Sequence, residues 1–325
     1  MASAIVNASY LLKKVIGLLL TIFLVLSFNF YLFRVLPGNP VTLLFRGVGL
    51  SAEQIRELNV QFGLDQPIWV QYSVYLQNTL RGNLGYSFQT RAPVISLVVP
   101  SLINTVILLS VASSISIIAG LLIGVIAAWR RGSKVDISAS AITLFLYSMP
   151  TFWLGLVLMF LGVIYFGLPV GGMMTITFTT IGIFAQVGDV MRHMILPLLT
   201  LVLGLTGQYV LVMKGALLDV FTEDYMITAR AKGISNRKLL LDHGFRNAIL
   251  PMMTLVALNL GLSIGGAVQT ETVFSWPGMG LLIYRAILSR DYPVLQGAFL
   301  MVTIAVIVTN FIADMLYPLL DPRVT

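Results

Sequence analysis

Six stretches of this 325-residue chain run for about 20 residues or more with no charged side chain, and no soluble fold accommodates that pattern. A bilayer core about 30 Å thick is crossed by roughly 20 apolar residues of helix. The stretches are Val15–Phe33, Leu102–Trp129, Ile137–Phe166, Ile195–Met213, Ala248–Gln269 and Val294–Ala313. Composition agrees: 58% of residues are hydrophobic and 10% charged, against about 25% charged in a soluble domain. The expected fold is therefore all-α, a polytopic membrane protein with six transmembrane helices.

The net charge of +7 would suggest nucleic acid if read alone. Its distribution points elsewhere. With six spans, Lys13, Lys14, Lys134, Lys214, Lys232 and Lys238 fall on one side with Arg130, Arg131, Arg230, Arg237 and Arg246. The positive-inside rule makes that side the cytoplasm, with both termini there and no nucleic-acid partner implied. There is no cysteine, which excludes disulfides, thiolate catalysis and zinc–cysteine sites. The first apolar run exceeds a usual signal h-region and leads into Arg34-Val35-Leu36-Pro37, so it is read as a retained membrane helix.

Three parts follow: residues 1–36 with the first helix, an external region 37–100, and a core 101–325 with spans two to six. In the external region Ser51 and Gln54 predict a reciprocally capped helix. Pro67–Leu80, with Trp69, Tyr72 and Tyr75, reads as an interfacial amphipathic helix. Gly120 with Gly124, and Gly261 with Gly265, allow close helix approach or reflect ordinary glycine usage in membranes. Pro150 interrupts the third span and predicts a kink.

The cytoplasmic loop 219–246 is the most patterned polar segment. Thr222, Glu223 and Asp224 suit a helix start, Gly233 suits its end, and Ser235 suits the cap of a second short helix, Asn236–Phe245. Asn247 is then expected to cap the fifth span, with Pro251 in its first turn. A short helix with small Ala229, Ala231 and Gly233, flanked by charged Glu223, Asp224, Arg230, Lys232 and Arg237, suits docking into a groove on another protein. A solvated, positively biased connector has the same composition.

Tyr225-Met226-Ile227-Thr228-Ala229-Arg230-Ala231-Lys232-Gly233, ending at Arg246-Asn247-Ala248-Ile249-Leu250-Pro251, resembles the signature loop of ABC-importer permeases in the dipeptide and oligopeptide branch. Leu36-Pro37-Gly38-Asn39-Pro40, Gly63-Leu64-Asp65-Gln66-Pro67 and Gly82-Asn83-Leu84-Gly85-Tyr86-Ser87 are similar to the family's early segments. Glu271 to Gly280, Arg290-Asp291-Tyr292-Pro293 and Asp321-Pro322-Arg323 are similar to its late ones. The first Glu of the general signature is absent. The resemblance implies a type I importer permease of the first-subunit kind, whose loop forms coupling helices seated in an ATPase. It also implies a second homologous permease, one or two ATPase subunits holding ATP and Mg, and an external solute-binding protein.

The chain has no Gly-x-x-x-x-Gly-Lys phosphate loop, so no cofactor is expected on it. Asn104, Gln208, Asn259 and Asn310 lie in or beside the spans, where polar groups line a path or bond a neighbouring helix. Glu271 and Trp276 suit an outer gate or a fixed loop. His193 and His243 are read as standing alone, with no catalytic or metal role. The implied cargo is peptide, with oligosaccharide, nickel chelates and glutathione as alternatives. A secondary transporter would show charged spans and an inverted repeat, and an intramembrane enzyme a catalytic set; neither is evident.

Overall fold

The structure, a computed structural model, describes residues 8–35, 51–61, 63–175 and 182–320. Leu36–Pro40 and Asp321–Arg323, quoted above, lie outside them. Thirteen α-helices and one π-helical stretch are found among the described residues, together with one isolated bridge between Tyr86 and Pro93. Two compact units result, one built mainly on Asn104–Leu281 and the other on Ala8–Ile103 with Leu282–Val308.

In the second unit, α1 (Ala8–Val35) carries the first span. The short α2 (Ala52–Gln61) starts as predicted: Gln54 N–H donates to Ser51 Oγ at 3.3 Å, and Ser51 N–H to Gln54 Oε1 at 2.9 Å. Next, α3 (Ile68–Leu80) packs on α1 through Phe30, whose ring centroid lies 5.3 Å from both Tyr72 and Tyr75. Tyr75 donates to Asn29 Oδ1 at 3.2 Å, and Asn29 donates to the Gln296 carbonyl at 3.3 Å. Trp69 projects from α3, 70% exposed, as suits a ring at a membrane surface. The buried Asp291 carboxylate holds the turn after α3, accepting from Ser87 Oγ and from the amides of Phe88 and Gln89.

The first unit is built around α7 (Ile183–Phe221), a 39-residue helix. It meets α4 (Val94–Trp129) at two glycines. A Cβ on Gly120 would collide with Tyr209, and one on Gly124 would lie 2.8 Å from Met213 Cβ. Dispersion between close backbones holds such a contact where lipid removes the hydrophobic drive. Gly261 and Gly265 fall in a part of the fifth span whose packing lies outside the described residues.

The predicted third span is two helices, α5 (Lys134–Ser148) and α6 (Thr151–Phe166), bent by 105°. Proline disfavours helical geometry at the residue before it, and Met149 leaves the helix with φ −74° and ψ 136°. The expected kink is a complete break. At its start α5 is capped by Ser133, and Asp136 pairs with Lys214 of α7, Oδ1 to Nζ 2.5 Å. Lys214 also donates to Ser140 Oγ at 2.9 Å.

Four helices are long and apolar enough to cross a bilayer among the described residues: Leu12–Arg34, Val94–Trp129, Ile183–Phe221 and Tyr292–Met315. The α5–α6 pair makes a fifth if it counts as one span. The remaining predicted span corresponds to Arg246–Gly266, whose 21 residues extend about 31 Å at 1.5 Å per residue.

Candidate functional site

The cytoplasmic loop is ordered by two caps and one apolar cluster. Thr222 ends α7, its hydroxyl donating to the Asp219 carbonyl at 2.7 Å, so it does not open the next helix as expected. Glu223 takes the N-cap position of α8 (Asp224–Ala231). Asp224 in the first turn and Arg230 in the last complement the helix dipole. At the other end Gly233 N–H donates to the Arg230 carbonyl at 3.0 Å, and Ile234 N–H to the Ala229 carbonyl at 3.3 Å. That pair of bonds is a Schellman closure, and it requires the left-handed conformation that Gly233 adopts at φ +75°.

One face of α8 is anchored. Met226 and Ala229 are buried with Leu239, and Val220, Phe221 and Ile234 pack around them. Everything else is turned outward: Glu223, Asp224, Tyr225, Arg230, Ala231, Lys232, Gly233 and Arg237 are all exposed. So is Ile227, at 60%, with Tyr225 at 41%. Of the nine residues singled out from the sequence, Ala229 alone points inward. Ile227 was passed over, although its place one position after buried Met226 turns it about 100° away around the helix.

Beyond Gly233 the structure departs from the expected helix-turn-helix. Asn236–Lys238 (α9) runs into a π-helical stretch, Leu239–Phe245, and then into α10 (Arg246–Gly266) with no break. Lys238, Leu239, Phe245 and Arg246 all keep helical dihedrals. Ser235 stands at the N-cap of α9 but makes no capping bond with its side chain. Asn247 is therefore not a cap. It lies inside the helix and donates to Tyr225 Oη at 3.0 Å and the His243 carbonyl at 2.8 Å, tying α8 to the membrane helix. Pro251 likewise falls within α10, not in a first turn. A tight core lies beneath: Ala128 of α4, Tyr209, Met213 and Leu217 of α7, and Ala248 and Met252 of α10.

At the other end of this unit a buried carboxylate organises a loop. Glu271, in α11 (Val268–Val273), is 0% exposed. It accepts from Thr105 Oγ1 at 2.6 Å, from Gly280 N–H at 2.6 Å and from Leu281 N–H at 3.4 Å. Those amides belong to the first turn of α12 (Met279–Ser289), where a carboxylate offsets the dipole. Thr105 Oγ1 also accepts from Met279 N–H at 2.8 Å. Between α11 and α12, Trp276 is fully buried, its Nε1 donating to the Asn104 carbonyl at 3.2 Å, and the Asn104 amide donates to the Pro277 carbonyl at 2.9 Å. Ser275 occupies the left-handed region at φ +48°, and Gly278 and Gly280 lie so close to Glu271 and Val268 that a Cβ would collide. Burial pushes the Glu271 carboxyl above its usual range, opposed by the bonds from Thr105, Gly280 and Leu281.

The other polar candidates are dispersed. Gln208 is half-buried on α7, Asn259 donates to Tyr209 Oη at 3.3 Å, and Asn310 is exposed on α13 (Tyr292–Leu320). His193 is not alone as expected. Its Nδ1 lies 3.5 Å from Oδ1 of Asp189, one helical turn earlier, and that carboxylate accepts from the amide and hydroxyl of Thr175. The four-residue spacing was the signal. Among the described residues no cluster of His, Cys, Asp or Glu suits a metal.

The chain is similar to known proteins over nearly its whole length. Residues 120–325 match the family model described as "Binding-protein-dependent transport system inner membrane component", and residues 8–109 match the N-terminal model of the same membrane components. The chain is 35% identical to the dipeptide transport system permease protein DppB of Escherichia coli K12, over 97% of this chain and 98% of that one. It is 37% identical to the di/tripeptide transport system permease protein DppB of Pseudomonas aeruginosa UCBPP-PA14, with the same coverage. It is also 34% identical to the glutathione transport system permease protein GsiC of Escherichia coli O6:H1, again over 97% and 98%. In fold it is similar to a chain of the inward-facing MetNI methionine ABC transporter, with TM-score 0.56 and 17% identity, over 70% of this chain and 97% of that one. The chain belongs to the family of inner-membrane components of binding-protein-dependent transport systems.

Proposed function

We propose that this chain is one of two homologous permease subunits of a peptide importer, worked from its 219–246 loop by a separate ATPase. One observation carries the reading: α8 is fixed from beneath by Met226, Ala229 and Leu239 while its charged and small residues face outward. A helix held this way transmits a push without yielding. Its link through Asn247 to α10 and its attachment to α7 give that push two membrane helices to move. Glu223, Asp224, Tyr225, Arg230, Ala231, Lys232, Gly233 and Arg237 form the docking face, and Ile227 supplies apolar area at its centre.

ATP and Mg belong to one or two ATPase subunits, because this chain carries no phosphate loop. An external binding protein delivers the cargo, and both termini face the cytoplasm, on the lysine-rich side. Gln208, Asn259 and Asn310 line the path toward the partner permease. Asn104, Glu271 and Trp276 set the rigid loop that bounds its outer end. Peptide is the cargo supported by the dipeptide and di/tripeptide relatives. Glutathione, itself a short peptide, is the second reading, supported by a relative of nearly equal identity.

Affinity purification of the chain from its native membrane, in mild detergent, tests the assembly. An ATPase subunit should co-purify, and peptide uptake by the cells should stop when that ATPase is inactivated. Uptake that persists without it contradicts the proposal.

A further inference from the structure

The 13-residue helix α3 (Ile68–Leu80) carries no charged side chain, although Asp65 and Arg81 stand on either side of it. A helix with one side turned to water usually places its charges there. Here the outward side holds Trp69 at 70% exposure and Leu80 at 79%. At about 100° per residue, Trp69, Leu76 and Leu80 fall within about 40° of one another. The exposed Ser73 and Gln77 run along one border of that strip. Tyr72 and Tyr75 run along the other, against Phe30 of α1.

The depth of α3 follows from where it is fastened. Tyr72 Oη lies 2.6 Å from Ser27 Oγ, and Tyr75 donates to Asn29 Oδ1 at 3.2 Å. Both partners belong to the apolar stretch Leu12–Arg34. Counted back from Arg34 at 1.5 Å per residue, Asn29 is about 8 Å and Ser27 about 10 Å inside the span. An interfacial helix sinks its apolar edge about 5–10 Å into the boundary between headgroups and acyl chains. The fastening points set α3 at that level and not above the membrane.

Lipid is the neighbour at that depth. On α1, Leu19, Leu20, Phe23, Leu24, Phe28 and Tyr31 are 51–64% exposed and spread over about half of the helix circumference. So much uncovered apolar surface marks α1 as a helix at the rim of its unit. The strip on α3 lies level with the Phe28 and Tyr31 end of that surface.

We infer that α3 is sunk in the outer leaflet, in the orientation proposed above, with Trp69, Leu76 and Leu80 among the acyl chains and Ser73 and Gln77 at the headgroups. The partner of this face is the lipid surface itself. The strip holds the α1–α3 pair at a fixed depth, because lifting it would return Trp69 and Leu80 to water.

The chain has no cysteine, so each of Trp69→Cys, Leu80→Cys, Ser73→Cys and Gln77→Cys in the full-length chain takes a single spin label. The labelled chains are placed in phosphatidylethanolamine–phosphatidylglycerol vesicles. Collisions of the label with oxygen, which concentrates in hydrocarbon, are compared with collisions with water-soluble chromium oxalate. Phe23→Cys is the hydrocarbon reference, and Glu53→Cys on α2 is the aqueous one. The oxygen-to-chromium ratio at positions 69 and 80 should exceed that at 53 several-fold and approach that at 23, with 73 and 77 between. A ratio at 69 and 80 equal to that at 53 places the face in water and overturns the inference. In native membranes a photo-crosslinking side chain in place of Trp69 or Leu80 should give no protein adduct. A protein adduct makes the face a subunit contact and overturns the inference too. Both measurements register depth and neighbours, not transport, so their outcome is separate from that of the importer assignment.

Discussion

Glu271 and Thr105 are 166 residues apart, yet Thr105 Oγ1 lies 2.6 Å from Glu271 Oε1 with both side chains fully buried. The pair bridges α4 to the turn that opens α12. Glu271→Ala leaves the Gly280 and Leu281 amides and the Thr105 hydroxyl without an acceptor, and each orphaned group costs about 1–3 kcal/mol. Thermal unfolding in detergent should register a large loss for Glu271→Ala and a smaller one for Thr105→Val.

The same carboxylate predicts a pH effect. Burial raises its folded pKa above the unfolded value, so its contribution is fully present below the unfolded pKa. It is lost as pH rises through the folded pKa. A pH series of Tm should show a decline over that window that is absent in Glu271→Gln. Parallel profiles for the two proteins would mean that Glu271 does not titrate differently on folding.

Gly233→Val tests the coupling loop. Nothing lies within 4 Å of a Cβ there, so the substitution acts through backbone strain at φ +75° and not through a clash. A left-handed β-branched residue costs about 1–2 kcal/mol or more, enough to open the Schellman turn without disturbing the spans. In a reconstituted importer ATP hydrolysis should continue while uptake falls several-fold. Normal uptake would remove this turn from the coupling path.

Asp136 and Lys214 pair within the helical bundle, and of the two only Lys214 was named from the sequence, as an orientation marker. Lys214→Met leaves the Asp136 carboxylate without its cation and should lower Tm. Asp136→Asn added to it should restore much of that stability, because the amide oxygen can still accept from Gly132 N–H. An additive double variant would show that the pair contributes no coupling.

Segments governed by local chemistry were legible in the chain. The apolar runs located the spans, Ser51 with Gln54 gave a cap, Gly120 with Gly124 gave a close contact, and Gly233 gave a helix end. What was missed depends on context. Pro150 was read as a kink, but whether a proline bends or breaks a helix depends on the packing of both arms, here against α7 through Gly155, Gly162 and Gly207. Asn247 looked like a cap because the π-helical stretch before it, Leu239–Phe245, carries no composition signal. Glu271 gave two readings because its partners Thr105 and Gly280 converge only in three dimensions.

The central claim is that this chain is a conduit driven by a separate motor, and reconstitution tests it most directly. Labelled dipeptide uptake is measured in proteoliposomes holding the chain with its partner permease, the ATPase and ATP, with binding protein and peptide added outside. The same measurement is made on vesicles holding the chain alone. The account predicts accumulation above the external concentration in the first case and none in the second. Accumulation against a gradient by the chain alone would contradict it.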